Sequence, residues 1–237
     1  MPIHALFDSA PAQFANDFVG RVRTGTQLNG RPMALENFRF TTGDPVVAEE
    51  IAHLFGGNTS EWETTGDDGI EVITETNNLN ITLNSVKSEY LLWTRQGLAR
   101  SCDGITQRDE NPCHCKTQYS NEREWSKAAK AGLACGPSVE ATFTLNAKPE
   151  LGIWTFKSQS KTLAKGDPIW KKDSMAEGEI YSPPISEIEA MFVALDRSAE
   201  ATLQLVGVSY TTKLGQPVSY TKPVLLIAEA TEGLVAA

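Results

Sequence analysis

The sequence predicts an α+β fold: a mostly antiparallel sheet, a few short helices, and a central cysteine-rich region stabilised by zinc. Three observations point there. Alternating apolar residues recur in short runs separated by turn-forming pairs, the period of half-buried strands. Only three stretches carry apolar residues at helical spacing. All four cysteines, Cys102, Cys113, Cys115 and Cys135, fall in one stretch spaced C-x10-C-x-C-x19-C.

The elements follow in order. Residues 20–25 (GRVRTG) alternate as a short strand, Asn29-Gly30 is a strong hairpin signal, and a second strand runs through residues 35–42. Asp44 then fits an N-cap with Pro45 in the first helical position. Val47, Ile51, Leu54 and Phe55 lie at helical spacing, and Gly56-Gly57 ends the helix. Residues 70–76 and 79–83 alternate around Asn77-Asn78 and predict a second hairpin. Residues 90–93 fit a short helix or a strand. Residues 121–131 predict a polar, alanine-rich helix between the third and fourth cysteines. Residues 139–145 and 151–158 predict paired strands around Pro149-Glu150. Residues 159–185, rich in Lys, Gly, Ser and Pro, predict a long loop or linker. Ser186 with Glu189 makes a capping box for a helix to residue 199. Two strand-like runs, residues 202–212 and 218–228, close the chain around Leu214-Gly215-Gln216.

On this basis residues 1–165 form a main α+β domain with an embedded zinc module over residues 93–137. Residues 166–237 form a C-terminal α+β extension, either separate or part of the same domain. With 41% hydrophobic and 22% charged residues in 237, the chain has the composition of a globular protein. Its formal charge of −9 argues against wrapping duplex DNA. The charge is uneven. Residues 91–172 carry 13 basic and 8 acidic side chains, between two acidic ends. That cationic middle admits a solvated mixed surface or a patch for an acidic partner, protein or nucleic acid. Residues 1–20 have no basic start and no apolar run, and no window approaches the ~18 apolar residues of a membrane span. The expected compartment is therefore the reducing cytoplasm, with no membrane association.

In such a compartment clustered cysteines read as metal ligands ahead of disulfides or unligated buried thiols. Four thiolates close a tetrahedral zinc site and leave no position for an activated water, which makes the ion structural. A site of three thiolates plus the His114 imidazole is the alternative ligand set. The other histidines, His4 and His53, suggest no site; His53 falls where a cation suits the end of the first helix. No catalytic motif of the nucleotide-binding, nucleophile-elbow or zinc-protease kind is present. Asp103 is the one acid beside a cysteine that a metal-dependent hydrolase could use as a base. Enzymatic function is not expected. Trp62, Trp93 and Trp154 lie in strand-like runs and predict core positions, whereas Trp125 and Trp170 stand among charges. Candidate partner contacts are Arg100, Arg123, Trp125 and Lys127.

Residues 20–25 (GRVRTG), 30–32 (GRP) and 38–41 (FRFT) resemble the start of the recombination directionality factors of actinophages that use large serine integrases. The likeness continues through residues 51–57 (IAHLFGG), Trp62, residues 71–74 (EVIT) and Leu92-Trp93. It also takes in Cys102-Asp103-Gly104, Cys113-His114-Cys115, Cys135-Gly136-Pro137 and residues 151–154 (LGIW). It spans residues 18–160, fits less well at residues 99–101 and 156–160, and fades beyond residue 165. The resemblance implies a binding protein in the bacterial host cytoplasm. Such a factor attaches to its integrase on att-site DNA and turns integration (attP × attB) into excision (attL × attR). The integrase supplies the serine nucleophile and the DNA contacts, so little direct duplex binding is expected. Two further readings stay open: a zinc-stabilised nucleic-acid-binding protein of phage replication, and the metal-dependent hydrolase.

Overall fold

The computed structural model describes residues 18–228, apart from residues 29–30, 64–65, 173–174, 176–178 and 213–214. Strand β1 (Phe18–Leu28) runs antiparallel to β2 (Arg31–Thr42), as the first hairpin predicts. The Asn29-Gly30 turn between them lies outside the described residues. Helix α1 (Pro45–Phe55) opens as expected, with the Asp44 carboxylate accepting the Val46 amide at 2.8 Å. It closes at Gly56, whose φ of 75° is the left-handed value glycine adopts without strain.

Beyond α1 come β3 (Thr59–Glu61), β4 (Ile70–Ile73), the long β5 (Asn78–Thr94) and β6 (Gly97–Cys102). Helices α2 (His114–Gln118) and α3 (Glu122–Lys130) follow, then β7 (Gly136–Leu145) and β8 (Ile153–Ser158) around a short 3-10 turn, Pro149–Leu151. Helices α4 (Lys161–Lys165), α5 (Ile169–Lys172) and α6 (Ile185–Ala194) precede β9 (Ala199–Thr211) and β10 (Pro217–Ile227). One sheet joins all ten described strands in the order β10-β9-β5-β7-β8-β1-β2-β4-β3, with β6 paired to the outer half of β5. Every pairing is antiparallel except β1 with β8. Among the described residues, no helix is long and apolar enough to cross a membrane.

Four expectations are corrected here. The runs at residues 70–76 and 79–83 do not pair with each other. β4 lies beside β2 and β3, while β5 begins on the far side of the sheet beside β9. Asn77, read as a turn residue, instead exchanges hydrogen bonds with Leu205. Within residues 159–185, expected as a loose linker, residues 161–172 are largely helical, whereas residues 179–184 have no regular structure and residues 173–174 and 176–178 lie outside the described residues. Residues 161–172 hold α4 and α5, with Leu163 buried in the main core and Asp167 ion-paired to the buried Lys222 at 2.6 Å. The helix expected from Ser186 starts at Ile185 with Pro184 as its cap residue, so the capping box is not formed. Finally, two tryptophans assigned to the core are elsewhere. Trp93 is 57% exposed, and Trp62 lies half-buried under the Arg39 guanidinium, 4.4 Å away.

The third of these tryptophans, Trp154, is in the core as the sequence predicts. Trp154 is fully buried, edge-on to Phe40 at 5.0 Å and paired across the sheet with Phe143, in a core shared with Phe38, Phe156, Ile51 and Ile188. Its ring covers Gly20 so closely that a Cβ there would lie 2.6 Å from it and overlap the Thr41 carbonyl. A strand position facing a packed tryptophan this tightly admits only hydrogen. The opposite face of β1 is polar. Arg21 and Arg23 reach the fully buried Asp68 at 2.6 and 2.8 Å, and Thr41 donates to the same carboxylate at 2.6 Å. Burial alone would raise the Asp68 pKa, but the hydrogen bonds from Thr41, Arg23 and Arg21 outweigh it and hold the group below its ordinary value.

Candidate metal centre

The four cysteines arrive from three directions. Cys102 ends β6, paired across the hairpin with Tyr90 of β5. The chain then makes a tight knuckle. Asp103 Oδ1 accepts the Ile105 and Thr106 amides, both at 2.7 Å, and Gly104 takes a φ of 99°. The knuckle returns through bridges between Cys102 and Gln107 and between Thr106 and Pro112. The Ile105 carbonyl accepts the Cys113 amide at 2.7 Å and seats that residue at the start of α2. Cys115 follows one residue past His114, inside α2, and Cys135 sits where the chain leaves α3 for β7. Glu89 of β5 anchors the knuckle from outside, accepting from Ser101 at 2.6 Å and Arg108 at 2.9 Å.

All four thiols are buried, between 1% and 7% exposed, in a cluster of their own with Leu92 and Ala134. They line one cavity of about 340 Å³ with Tyr90, Tyr119 and Trp125. Cys102 Sγ lies 3.2 Å from Cys113 Sγ, and Cys115 Sγ accepts the Cys135 amide at 3.3 Å. None is in a disulfide. Burial, then the neighbouring thiol of Cys113, pushes the Cys102 pKa up to about 11; burial and Cys115 push Cys135 up to about 12. In these apolar surroundings Cys102 and Cys135 hold their protons, because each thiolate would lose hydration and meet a neighbouring sulfur. A nearby dication reverses that balance.

Among the described residues, no group of three or more His, Cys, Asp or Glu side chains stands in finished metal-holding geometry. A tetrahedral zinc site with Zn–S bonds of about 2.3 Å has sulfur–sulfur edges of about 3.8 Å. Cys102 and Cys113 would thus have to part by about half an ångström to close one. The donor set fits zinc in kind: four buried sulfurs on one cavity. His114 is exposed and does not line that cavity, which sets it apart from the four thiols. Asp103 is occupied in its turn.

Trp125 is the lid of this module. Its Nε1 donates to the Cys135 carbonyl at 3.0 Å, its ring meets Tyr90 edge-on at 5.8 Å, and Lys161 and Lys165 lie over it at 4.6 and 4.9 Å. Arg123 and Lys127 are exposed on α3. Arg100 is half-buried on β6, with one terminal nitrogen enclosed and without a hydrogen-bond partner among the described residues. The side chain of Trp170 lies outside what the structure describes. Tyr90, Tyr119, Lys161 and Lys165 went unseen as site residues. Only the i,i+4 spacing of the two lysines hinted that they share a face.

A family model described as Gp3-like, recombination directionality factor-like, matches residues 19–166. That span holds all four cysteines and the lysines over Trp125. No solved structure matches the chain.

Proposed function

The chain belongs to the Gp3-like, recombination directionality factor-like family, and from that premise we propose that it binds a large serine integrase on att-site DNA and switches it from attP × attB integration to attL × attR excision. The family match over residues 19–166 is the observation that carries this reading. The chain acts as a regulator and not as a catalyst: the integrase performs strand exchange. A factor with higher affinity for the excision-competent arrangement of the integrase shifts the population toward it, and a hundredfold difference in affinity supplies about 2.7 kcal/mol.

Cys102, Cys113, Cys115 and Cys135 hold a structural zinc ion in this proposal. Bound zinc supplies a fixed crosslink between the β5–β6 hairpin, the knuckle and α3, and with four thiolates it offers no site for water. The clustering of four buried thiols on one cavity supports it. The integrase meets the cationic side of this module, with Arg100, Arg123, Trp125 and Lys127 as contact residues. Of these, Arg123 and Lys127 are the exposed cations.

The test is recombination in vitro. The purified chain is added to the serine integrase encoded in the same genome, with attL and attR or attP and attB DNA, and its zinc content is measured. Stimulated attL × attR recombination, with attP × attB suppressed, is the expected result. Steeply salt-dependent binding to bare DNA with no effect on the integrase would replace this reading with a nucleic-acid binder.

A further inference from the structure

Leu92 and Trp93 are neighbours on β5 in the β5–β6 hairpin, and strand alternation sends them to opposite faces. Leu92 turns into the cysteine cluster. Trp93 turns out, 57% exposed, beside its cross-strand neighbour Leu98 at 42%. More than half of a tryptophan left in water forgoes much of the burial its ring offers. Trp93 also forms the wall of a groove of about 470 Å³, with Leu91, Ala129 and Pro137 along it and Lys130 and Lys161 at its sides. On a chain with 30 acidic side chains, no carboxylate lines this groove among the described residues. Lys161 is short of anions: burial lowers its pKa, Lys165 and Lys130 add repulsion, and Glu122 offsets this only in part.

A groove walled by an exposed tryptophan and lined by both apolar side chains and two lysines complements an occupant that is apolar and acidic. We infer that this groove docks a segment of the recombinase partner bearing an apolar side chain flanked by carboxylates, with Trp93 as the anchor. The inference rests on the proposed role as an integrase-binding factor and adds the surface and the chemistry of the bound segment. It puts the energetic centre beside α3, so that Lys130 continues the row of Arg123 and Lys127 at the groove's edge. Large aromatic anchors with a cationic rim concentrate binding energy in this way, and the rim charges act chiefly on association rate and salt dependence.

The experiment measures affinity of the full chain for the purified integrase by calorimetry, for wild type, Trp93→Ser and Lys130→Glu. Zinc content and thermal unfolding of each variant are recorded alongside. Trp93→Ser is expected to weaken binding by about tenfold or more. Lys130→Glu is expected to weaken it by about threefold to tenfold at low salt, and less at high salt. Should Trp93→Ser fold poorly, the exposed Lys130→Glu alone decides. If the wild type binds and the folded variants stay within twofold of it, the groove is not the interface, though the role as integrase partner stands. If the wild type does not bind, the role itself falls and the docking segment with it. If Lys130→Glu weakens binding to bare att-site DNA but not to integrase, the groove takes a polyanion and the inference is overturned.

Discussion

Two tryptophans mark two regions held together by different physics. Trp154 belongs to a core that holds 25 buried residues among the described ones, drawn from β1, β2, β4, β5, β7, β8, β9, β10 and helices α1, α4 and α6. Trp125 closes a cluster of six, four of them cysteines, and its own helix α3 has no fully buried side chain. The first region removes enough apolar surface from water to order itself. The second buries far less: four thiols, a leucine and an alanine, with Tyr90, Tyr119 and Trp125 only partly covered, stand against the entropy of fixing residues 98–135. Small modules of this kind are ordinarily completed by a metal or a disulfide.

That contrast can be broken at either end. The largest effect is expected from metal removal. Structural zinc commonly contributes about 10 kcal/mol or more of binding free energy to such modules. Treatment with a strong chelator should release a single equivalent of zinc and raise amide exchange across residues 98–135, while β1, β2 and β7 stay protected. Exchange that rises equally in both regions would show that the module and the sheet unfold as one.

The converse change is Trp154→Ala. Emptying the centre of the sheet should cost about 3–5 kcal/mol, read as a lowered midpoint in denaturant, with zinc content of the folded fraction unchanged. Loss of zinc in the folded protein would mean that the module borrows its order from the sheet.

The smallest effect sharpens the electrostatics of the sheet. The Asp68 pKa is depressed in the folded state relative to the ordinary 3.8. Its ionised form therefore contributes stability that is fully present above that value and is lost as pH falls through the folded pKa. Asp68→Asn should lower stability at pH 7 by about 1–2 kcal/mol, because the Arg21, Arg23 and Thr41 hydrogen bonds weaken. It should also flatten the decline below about pH 4, seen in urea titrations at a series of pH values. An unchanged acid limb would assign the decline to Glu89 or Asp167, whose pKa values are depressed too.

How much was legible divides along chain distance. The β1–β2 hairpin, α1 with its Asp44 cap, α3 with its Asn121 cap, and the β7–β8 and β9–β10 pairs follow from residues within a few positions of one another. The thiol cluster was legible as well, because no other cysteine exists in the chain. The partner of β5 was not. Alternation at residues 79–83 says that a strand forms, but β7 and β9 offer equally apolar edges, and β9 lies more than 100 residues away.

The sequence by itself therefore determined the local periods, the caps, the turn residues and the four sulfurs, since these depend on side-chain chemistry and short-range sterics. Only the tertiary structure decided that β9 and β10 extend the same sheet as the N-terminal strands, that Trp154 and Gly20 share one tight contact, and that Trp93 faces outward. An extra β5 residue between Leu83 and Ser85, where the pairing with β7 shifts, changes which positions face inward, so that Trp93 lies opposite the face of Leu79, Ile81 and Leu83.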